Sequence, residues 1–184
     1  MNVYDFDKTI YKNDSTADFF LFCTKRHPVI LKLIPSIGAW FLKHYVLKKC
    51  TKTQFKEKIF QFVKYIDYEK DIADFWVKNK KKIKRFYLEN QKEDDVIISA
   101  SPLFVLEPIC KELGIKHLLC SKVDIKTGKY DGINCHGTEK VRRYREVFGD
   151  TSVQEFYSDS RSDTPLAEIS EKPFLVKGNK IKPW

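Results

Sequence analysis

No C-x-x-C pair occurs in this 184-residue chain, and its cysteines are odd in number: Cys23, Cys50, Cys110, Cys120 and Cys135. That pattern supplies neither a disulfide framework nor a zinc site. Reduced thiols in a cytosolic protein, with no disulfide-linked partner, are expected. A basic region followed by an apolar run and a small-residue cleavage site is also missing. The N-terminus enters Asn2-Val3-Tyr4-Asp5-Phe6-Asp7 at once, which leaves no room for a signal peptide. Internal repeats and low-complexity tracts are absent, which sets aside solenoids and arrays. A clean apolar span is lacking too. Residues 29–47 are greasy, yet they contain Lys32, Pro35, Lys43 and His44. A lysine at the centre of a span costs roughly 2.5–3.5 kcal/mol on insertion scales. Lys32, Ser36 and Lys43 fall on one helical face, so the segment reads as an amphipathic helix, kinked near Pro35. Packing on neighbouring helices is the favoured reading, ahead of contact with a lipid interface, and a true span comes last.

What is present points to a folded protein. A hydrophobic fraction of 42%, a charged fraction of 32% and 26 aromatics argue against disorder and suit one domain plus an insertion. The net charge of +9 is unevenly placed: residues 12–92 hold 19 Lys/Arg against 8 Asp/Glu, and 15 of the aromatics. The remainder holds 15 against 17, so all the excess positive charge sits in one internal segment. A basic, aromatic segment suits anionic partners: phosphorylated substrates, membrane surfaces or nucleic acid.

Residues 2–6 and 96–98 read as short strands, each followed by small polar residues. Ser101 suits an N-cap, Pro102 the first helical position and Gly114 the helix stop. A strand through residues 117–120 follows, then a small hairpin with arms 123–125 and 132–134. Helix 139–148 is capped by Thr138 and ended by Gly149. Strand 153–157, a short helix 165–170 and a last strand 174–176 complete an α/β pattern with a largely parallel sheet. Between the first two strands the period is helical. Thr51 and Gln54 form a capping box, Phe55, Ile59, Phe62 and Ile66 make one stripe, and Ile72, Trp76, Asn79, Ile83 and Phe86 another.

Four elements carry the chemistry. Asp5 and Asp7, two residues apart after the first strand, leave the strand end together. Two carboxylates can thus converge on one cation and one phosphate, the first as nucleophile and the second as acid/base. Ser99 follows the second strand with a hydroxyl and backbone N–H suited to phosphoryl oxygens. Lys140, near a helix start, can neutralise phosphate and nucleophile charge. Asp159 and Asp163 follow a third strand as hard oxygen donors of the kind Mg²⁺ takes. All four sit at strand ends or helix starts, where open parallel sheets place their sites. Each has an ordinary alternative: loop carboxylates, a turn-capping serine, one lysine among many, a helix-capping aspartate. His136 and the arginines 142, 143 and 145 read as structural or solvated, as does the lysine run 80–82.

Taken in order, these motifs resemble the haloacid dehalogenase superfamily over the whole chain. Asp5-Phe6-Asp7-Lys8-Thr9 matches its D-x-D-x-T signature. Ser99-Ala100-Ser101-Pro102 and the stretch 134–141 are similar to the phosphoserine-phosphatase-like subfamily IB, and to the bacterial phosphatidylglycerophosphatase C group. The resemblance implies a Rossmann-like α/β core, residues 1–12 and 92–184, with an all-α type 1 cap, residues 13–91, inserted after the first strand. It implies an Mg²⁺-dependent phosphomonoesterase in which Asp5 becomes an aspartyl phosphate and Asp7 is acid and base. Thr9, which fixes the loop, stands with Ser99, Ala100 and Lys140 in the phosphate-binding set. Asp5, the backbone carbonyl of Asp7, and Asp159 would hold the metal, with Asp163 in support. Two positions depart from the family: Lys8 and Ser158 stand where glycine is frequent.

A lipid phosphate such as phosphatidylglycerophosphate is one expected substrate, and a soluble metabolite such as phosphoserine is the other. A cytoplasmic location is expected, with peripheral contact at the inner face of an anionic membrane as its variant. A dehalogenase would not use the Mg²⁺ set, and a receiver domain has neither the second acidic motif nor the insertion. A non-catalytic membrane-surface or nucleic-acid-binding module is the alternative from another class. No nucleic acid is expected, since zinc, helix-turn-helix and RNA-binding signatures are missing.

Overall fold

The computed structural model describes residues 1–184. Its strands are β1 (Asn2–Tyr4), β2 (Val96–Pro102), β3 (His117–Ser121), β4 (Val153–Ser158), β5 (Ser170–Lys177) and β6 (Lys180–Pro183), in the order β3-β2-β1-β4-β5-β6. All neighbours run parallel except β5 and β6. The chain leaves β1 on one side for β2 and on the other for β4. The order therefore reverses at β1, and a crevice opens at its carboxyl end. Successive residues of a strand face opposite ways. Tyr4 and Ile97 accordingly enter the larger buried cluster with the insertion, while Val3, Val96 and Ile98 enter a second cluster on the other face.

The insertion is all-α: α1 (Ser15–Arg26), α2 (Ile34–Phe41), α3 (Lys52–Phe60), α4 (Tyr68–Asn79) and α5 (Arg85–Asn90), joined by 3-10 and π turns. Asp14 caps α1 by accepting from the Ala17 N–H at 2.9 Å. Thr51 and Gln54 close a reciprocal capping box on α3, at 3.0 and 3.1 Å. Two backbone bonds, Lys12 N–H to Lys82 C=O and Lys84 N–H to Ile10 C=O, tie the insertion's exit to its entry. Of the two stripes, Phe55, Phe62, Ile72, Trp76 and Ile83 are buried. The remaining helices, α6 (Leu103–Glu112), α7 (Thr138–Phe148) and α8 (Thr164–Ala167), follow their strands as βα units do.

Several expectations need correcting. β2 runs through Pro102, which is the N-cap of α6 rather than its first helical residue, so Ser101 is freed from capping. Residues 132–134 form no strand; Val123 pairs with Tyr130 in an isolated bridge, and the loop closes on itself. The helix expected at 165–170 is shorter because Ser170 already begins β5. The antiparallel β6 was not foreseen, its four residues all being exposed and without apolar alternation. Arg143 is no solvated residue: it donates to Glu139 at 2.8 Å and to the carbonyls of Cys120 and Ile133, pinning α7 to β3 and the loop after it.

The largest departure is the segment Pro28–Val46. It is long and apolar enough to cross a membrane by length and composition, yet only 6% of its apolar window is buried, so it does not pack into the insertion as expected. Pro35 starts α2 after a 3-10 stretch instead of kinking a continuous helix, which removes the clash a mid-helix proline would make.

Candidate active site

Asp5 leaves β1 with its backbone N–H bonded to the Tyr157 carbonyl at 2.8 Å, so β1 and β4 deliver their following loops to one place. Lys140, in the first turn of α7 and 2% exposed, donates to Asp5 Oδ1 and to Asp163 Oδ2, each at 2.7 Å. Burial works against the lysine's charge, but the two carboxylates outweigh it and raise its pKa. Burial pushes Asp5 upward as well; Asp163 and Asp7 add to this and Lys140 opposes it. Ser158 joins the network by donating to Asp163 Oδ2 at 2.7 Å. The serine at this departure from the family pattern thus anchors an acid of the site.

Asp7 is held differently. Its Oδ1 accepts the Ser15 N–H at 2.7 Å, and its Oδ2 accepts a short bond from the Ser101 hydroxyl. Burial and the nearby Asp14 raise its pKa to about 6 against these bonds, a value at which a carboxyl both gives and takes protons near neutral pH. The Asp159 carboxyl is raised by burial, with Lys8 and Lys177 opposing. Lys8 takes a left-handed backbone conformation, φ 57°, which accounts for glycine being frequent there.

Asp5, Asp7, Ser99, Ala100, Lys140, Asp159 and Asp163 all line one cavity of about 460 Å³ at the carboxyl edge of the sheet. Thr9 does not. It is fully buried and donates to Asp5 Oδ2 at 3.4 Å, so it sits beneath the nucleophile candidate and out of reach of a phosphate. Three features of the cavity went unread in the sequence. His136 lies in its wall, its pKa lowered chiefly by burial. Ser101 and Thr16 bond to each other at 2.9 Å beside Asp7; the S-P pair had suggested only a helix start. The roof comes from the insertion: Phe20, Ile37, Ile59 and Phe60 with Lys52 and Lys56. Lys56 reaches the Ala100 carbonyl at 3.4 Å, and burial lowers its pKa. Only the i, i+4 spacing of Lys52 and Lys56 signalled that two cations share a face.

Five aspartates line the cavity against four lysines, and at its floor Asp5, Asp7, Asp159 and Asp163 gather around the one fully buried lysine, Lys140, a local excess of negative charge that invites a cation. No three His, Cys, Asp or Glu side chains converge as a metal cluster. The available set is two carboxylates, Asp5 and Asp159, plus the Asp7 backbone carbonyl. Such a set fits Mg²⁺, which binds through one or two carboxylates and keeps its other positions for water and substrate oxygens.

A parallel sheet that reverses at β1, an all-α insertion after that strand, and acids, lysine and serine gathered at three strand ends define a Rossmann-like α/β enzyme with a helical cap. The chain belongs to the haloacid dehalogenase-like hydrolase family, whose pattern matches residues 3–168. It is 37% identical over 83 residues to Protein CicA of Caulobacter vibrioides, covering 42% of this chain and 37% of that one. A probable phosphatase of Mycobacterium tuberculosis is 32% identical over 82 residues, 41% of this chain and 29% of that one. The matched stretch spans about a third of the length of these curated relatives. Among solved structures, a Bordetella pertussis protein of unknown function superposes with a TM-score of 0.74 at 20% identity, covering 94% of this chain and 87% of that one. A phosphoserine phosphatase in a phospho-aspartyl analogue state superposes at 0.56 with 16% identity, covering 93% and 83%. These likenesses establish the fold.

Proposed function

We propose that the protein is a phosphomonoesterase that works through an aspartyl phosphate on Asp5. The observation that carries this reading is the Lys140 bridge between Asp5 and Asp163. It orients a buried carboxyl, and favours its charged form against burial, at the end of β1 with Asp7 two residues away. An Asp5 carboxylate oxygen attacks phosphorus, and the bond to the ester oxygen breaks. Asp7 gives its proton to that oxygen as the alcohol leaves. The Asp7 carboxylate then takes a proton from water, whose oxygen attacks the phosphoryl group and releases inorganic phosphate from Asp5. Ser99 and the Ala100 backbone supply donors to the phosphoryl oxygens.

Mg²⁺ held by Asp5, the Asp7 carbonyl and Asp159 would supply the positive charge that a phosphate dianion needs to approach four aspartates. We take residues 13–91 as the cap domain over a core of residues 1–12 and 92–184.

The roof bears on the substrate. Lys52 and Lys56 beside Phe20, Ile37 and Ile59 suit a leaving group that is itself anionic and partly apolar, such as the diester and glyceride portion of phosphatidylglycerophosphate. Phosphoserine is the second reading, favoured by the likeness to phosphoserine phosphatase folds. The test is phosphate release with Mg²⁺ from phosphatidylglycerophosphate in mixed micelles, with phosphoserine alongside and Asp5→Asn as the blank. Turnover of the lipid, lost in the variant, is expected. Turnover of phosphoserine alone moves the function to soluble metabolism, and release from neither overturns the phosphatase assignment for these substrates.

A further inference from the structure

The helical segment Pro28–Val46 and the turn after it leave a contiguous apolar face uncovered. Leu31, Ile34, Phe41, Leu42, Tyr45 and Val46 are each 45–63% exposed, and Ile30 alone of the segment is buried. They recur at helical spacing along one side, so the face is a stripe rather than scattered residues. From residue 19 to residue 56 the chain carries 8 Lys/Arg and no Asp or Glu. Of these only Arg26 has a carboxylate partner. Trp40, on the same helical segment but half-buried and turned toward α3, lies under two cations, with Lys43 Nζ 4.4 Å and Lys58 Nζ 5.1 Å from its ring centroid.

Apolar side chains ringed by unpaired lysines and an amphipathic tryptophan require a partner with an apolar phase beneath a negatively charged surface. Nucleic acid offers the charge without the apolar phase. A second copy of this chain offers the apolar face, but a two-fold interface would set the same unpaired lysines against themselves. We infer that this face docks the cap onto an anionic lipid bilayer, with the stripe in the headgroup boundary and Lys32, Lys43, Lys48 and Lys49 on the lipid phosphates. The docking rests on the surface alone. Its consequence rests on the phosphatase reading: Ile37 of α2 also walls the cavity, so the docked protein opens its active site beside the headgroups.

The test is flotation of the whole protein with phosphatidylcholine vesicles, with and without phosphatidylglycerol. Wild type and Asp5→Asn should float together with the anionic vesicles, at least about tenfold more than with the neutral ones, and be released by raised salt. Because Asp5→Asn is catalytically dead, its flotation separates docking from any failure of the phosphatase reading. Leu42→Glu with Val46→Glu should lose the flotation while keeping its circular dichroism. Quenching of tryptophan fluorescence by brominated phosphatidylglycerol, compared between wild type and Trp40→Phe, reads Trp40: Trp76 is only 2% exposed, and the half-buried Trp184 is the same in both proteins. Four results would overturn the inference: equal partition onto neutral vesicles, no flotation with no quenching, a detergent-only extraction that marks a span, or a concentration-dependent dimer abolished by the double variant.

Discussion

At Lys8 the backbone conformation and the side chain pull in different directions. A non-glycine residue at φ 57° carries a left-handed penalty of roughly 1–2 kcal/mol, partly offset because glycine loses more chain entropy on folding. Lys8→Gly and Lys8→Ala delete the same charge beside Asp159, so the difference between them reads the backbone alone. The glycine variant should be the more stable by about 0.5–1 kcal/mol in urea unfolding; an alanine variant that matches it would mean the loop relaxes. The departure from the family pattern was visible in the sequence, but its energetic meaning was not, because φ is set by the turn that aims Asp5 and Asp7. Asp159 carries a second prediction. Half-buried and short of an acidic group's usual hydration, it is raised in pKa even though Lys8 and Lys177 attract it. Asp159→Asn should leave the metal-free protein as stable or more so. Mg²⁺ at about 100 times its Kd should add roughly 2.7 kcal/mol to wild type and nothing to the variant. A thermal shift that persists in the variant would place the cation elsewhere. Asp5, Asp7, Ser99, Lys140, Asp159 and Asp163 were legible because strand ends and helix starts are local signals. Thr9 was half legible, since its type and spacing gave a loop residue but could not say which way its hydroxyl points. Ser101 was read as a cap because its partners Asp7 and Thr16 lie far away in the chain, and the place of His136 in the cavity wall had no local signal.

Among the elements, the loop between β3 and α7 helps to set the insertion against the sheet. Gly128 has φ +72°, and a Cβ there would stand 2.5 Å from the Phe60 carbonyl oxygen at the end of α3. Two residues on, the Tyr130 N–H donates to Glu57 of α3 at 3.0 Å, and its ring lies 5.9 Å from that of Phe60. Backbone lies against backbone, so neither side can give cheaply. Gly128→Ala should cost roughly 2–4 kcal/mol, from the left-handed penalty plus overpacking. It should also raise KM more than it lowers kcat, since α3 carries Lys52 and Lys56. A loss in kcat alone would show that the loop serves the core rather than the roof. The sequence marked 126–131 as a turn but paired the wrong arms. Turn residues give a bend; the Val123–Tyr130 register depends on the α3 surface the loop closes over. The capping box of α3 was read correctly for the opposite reason, as both its partners lie within four residues. Pro28–Val46 failed because amphipathicity tells which face is apolar and cannot tell whether anything covers it.

Over the whole molecule the charge divides as the chain does. A basic insertion lies above a cavity floor of four aspartates and one buried lysine, so an approaching anion meets attraction at the rim before repulsion at the centre. Alternation of strands and helices, and the shift of period inside the insertion, made this two-part plan readable before any coordinates. The cavity itself was not readable, because its roof is assembled from α1, α2 and α3, whose contributions converge only on folding. Lys52 and Lys56 therefore matter as a pair that faces the floor, not as two of 34 basic residues. Such a rim accelerates capture of anionic substrates through a field that salt screens over a Debye length of about 8 Å at physiological ionic strength. The value of kcat/KM on an anionic phosphomonoester should fall as salt rises. Lys52→Gln with Lys56→Gln should raise KM about 3–10-fold at low salt, flatten that dependence and leave kcat within about twofold, because neither lysine touches Asp5. An unchanged salt slope in the double variant would move the steering to the wider lysine field of the insertion. A collapse of kcat would mean instead that Lys56, through its contact with the Ala100 carbonyl, shapes the phosphoryl pocket itself.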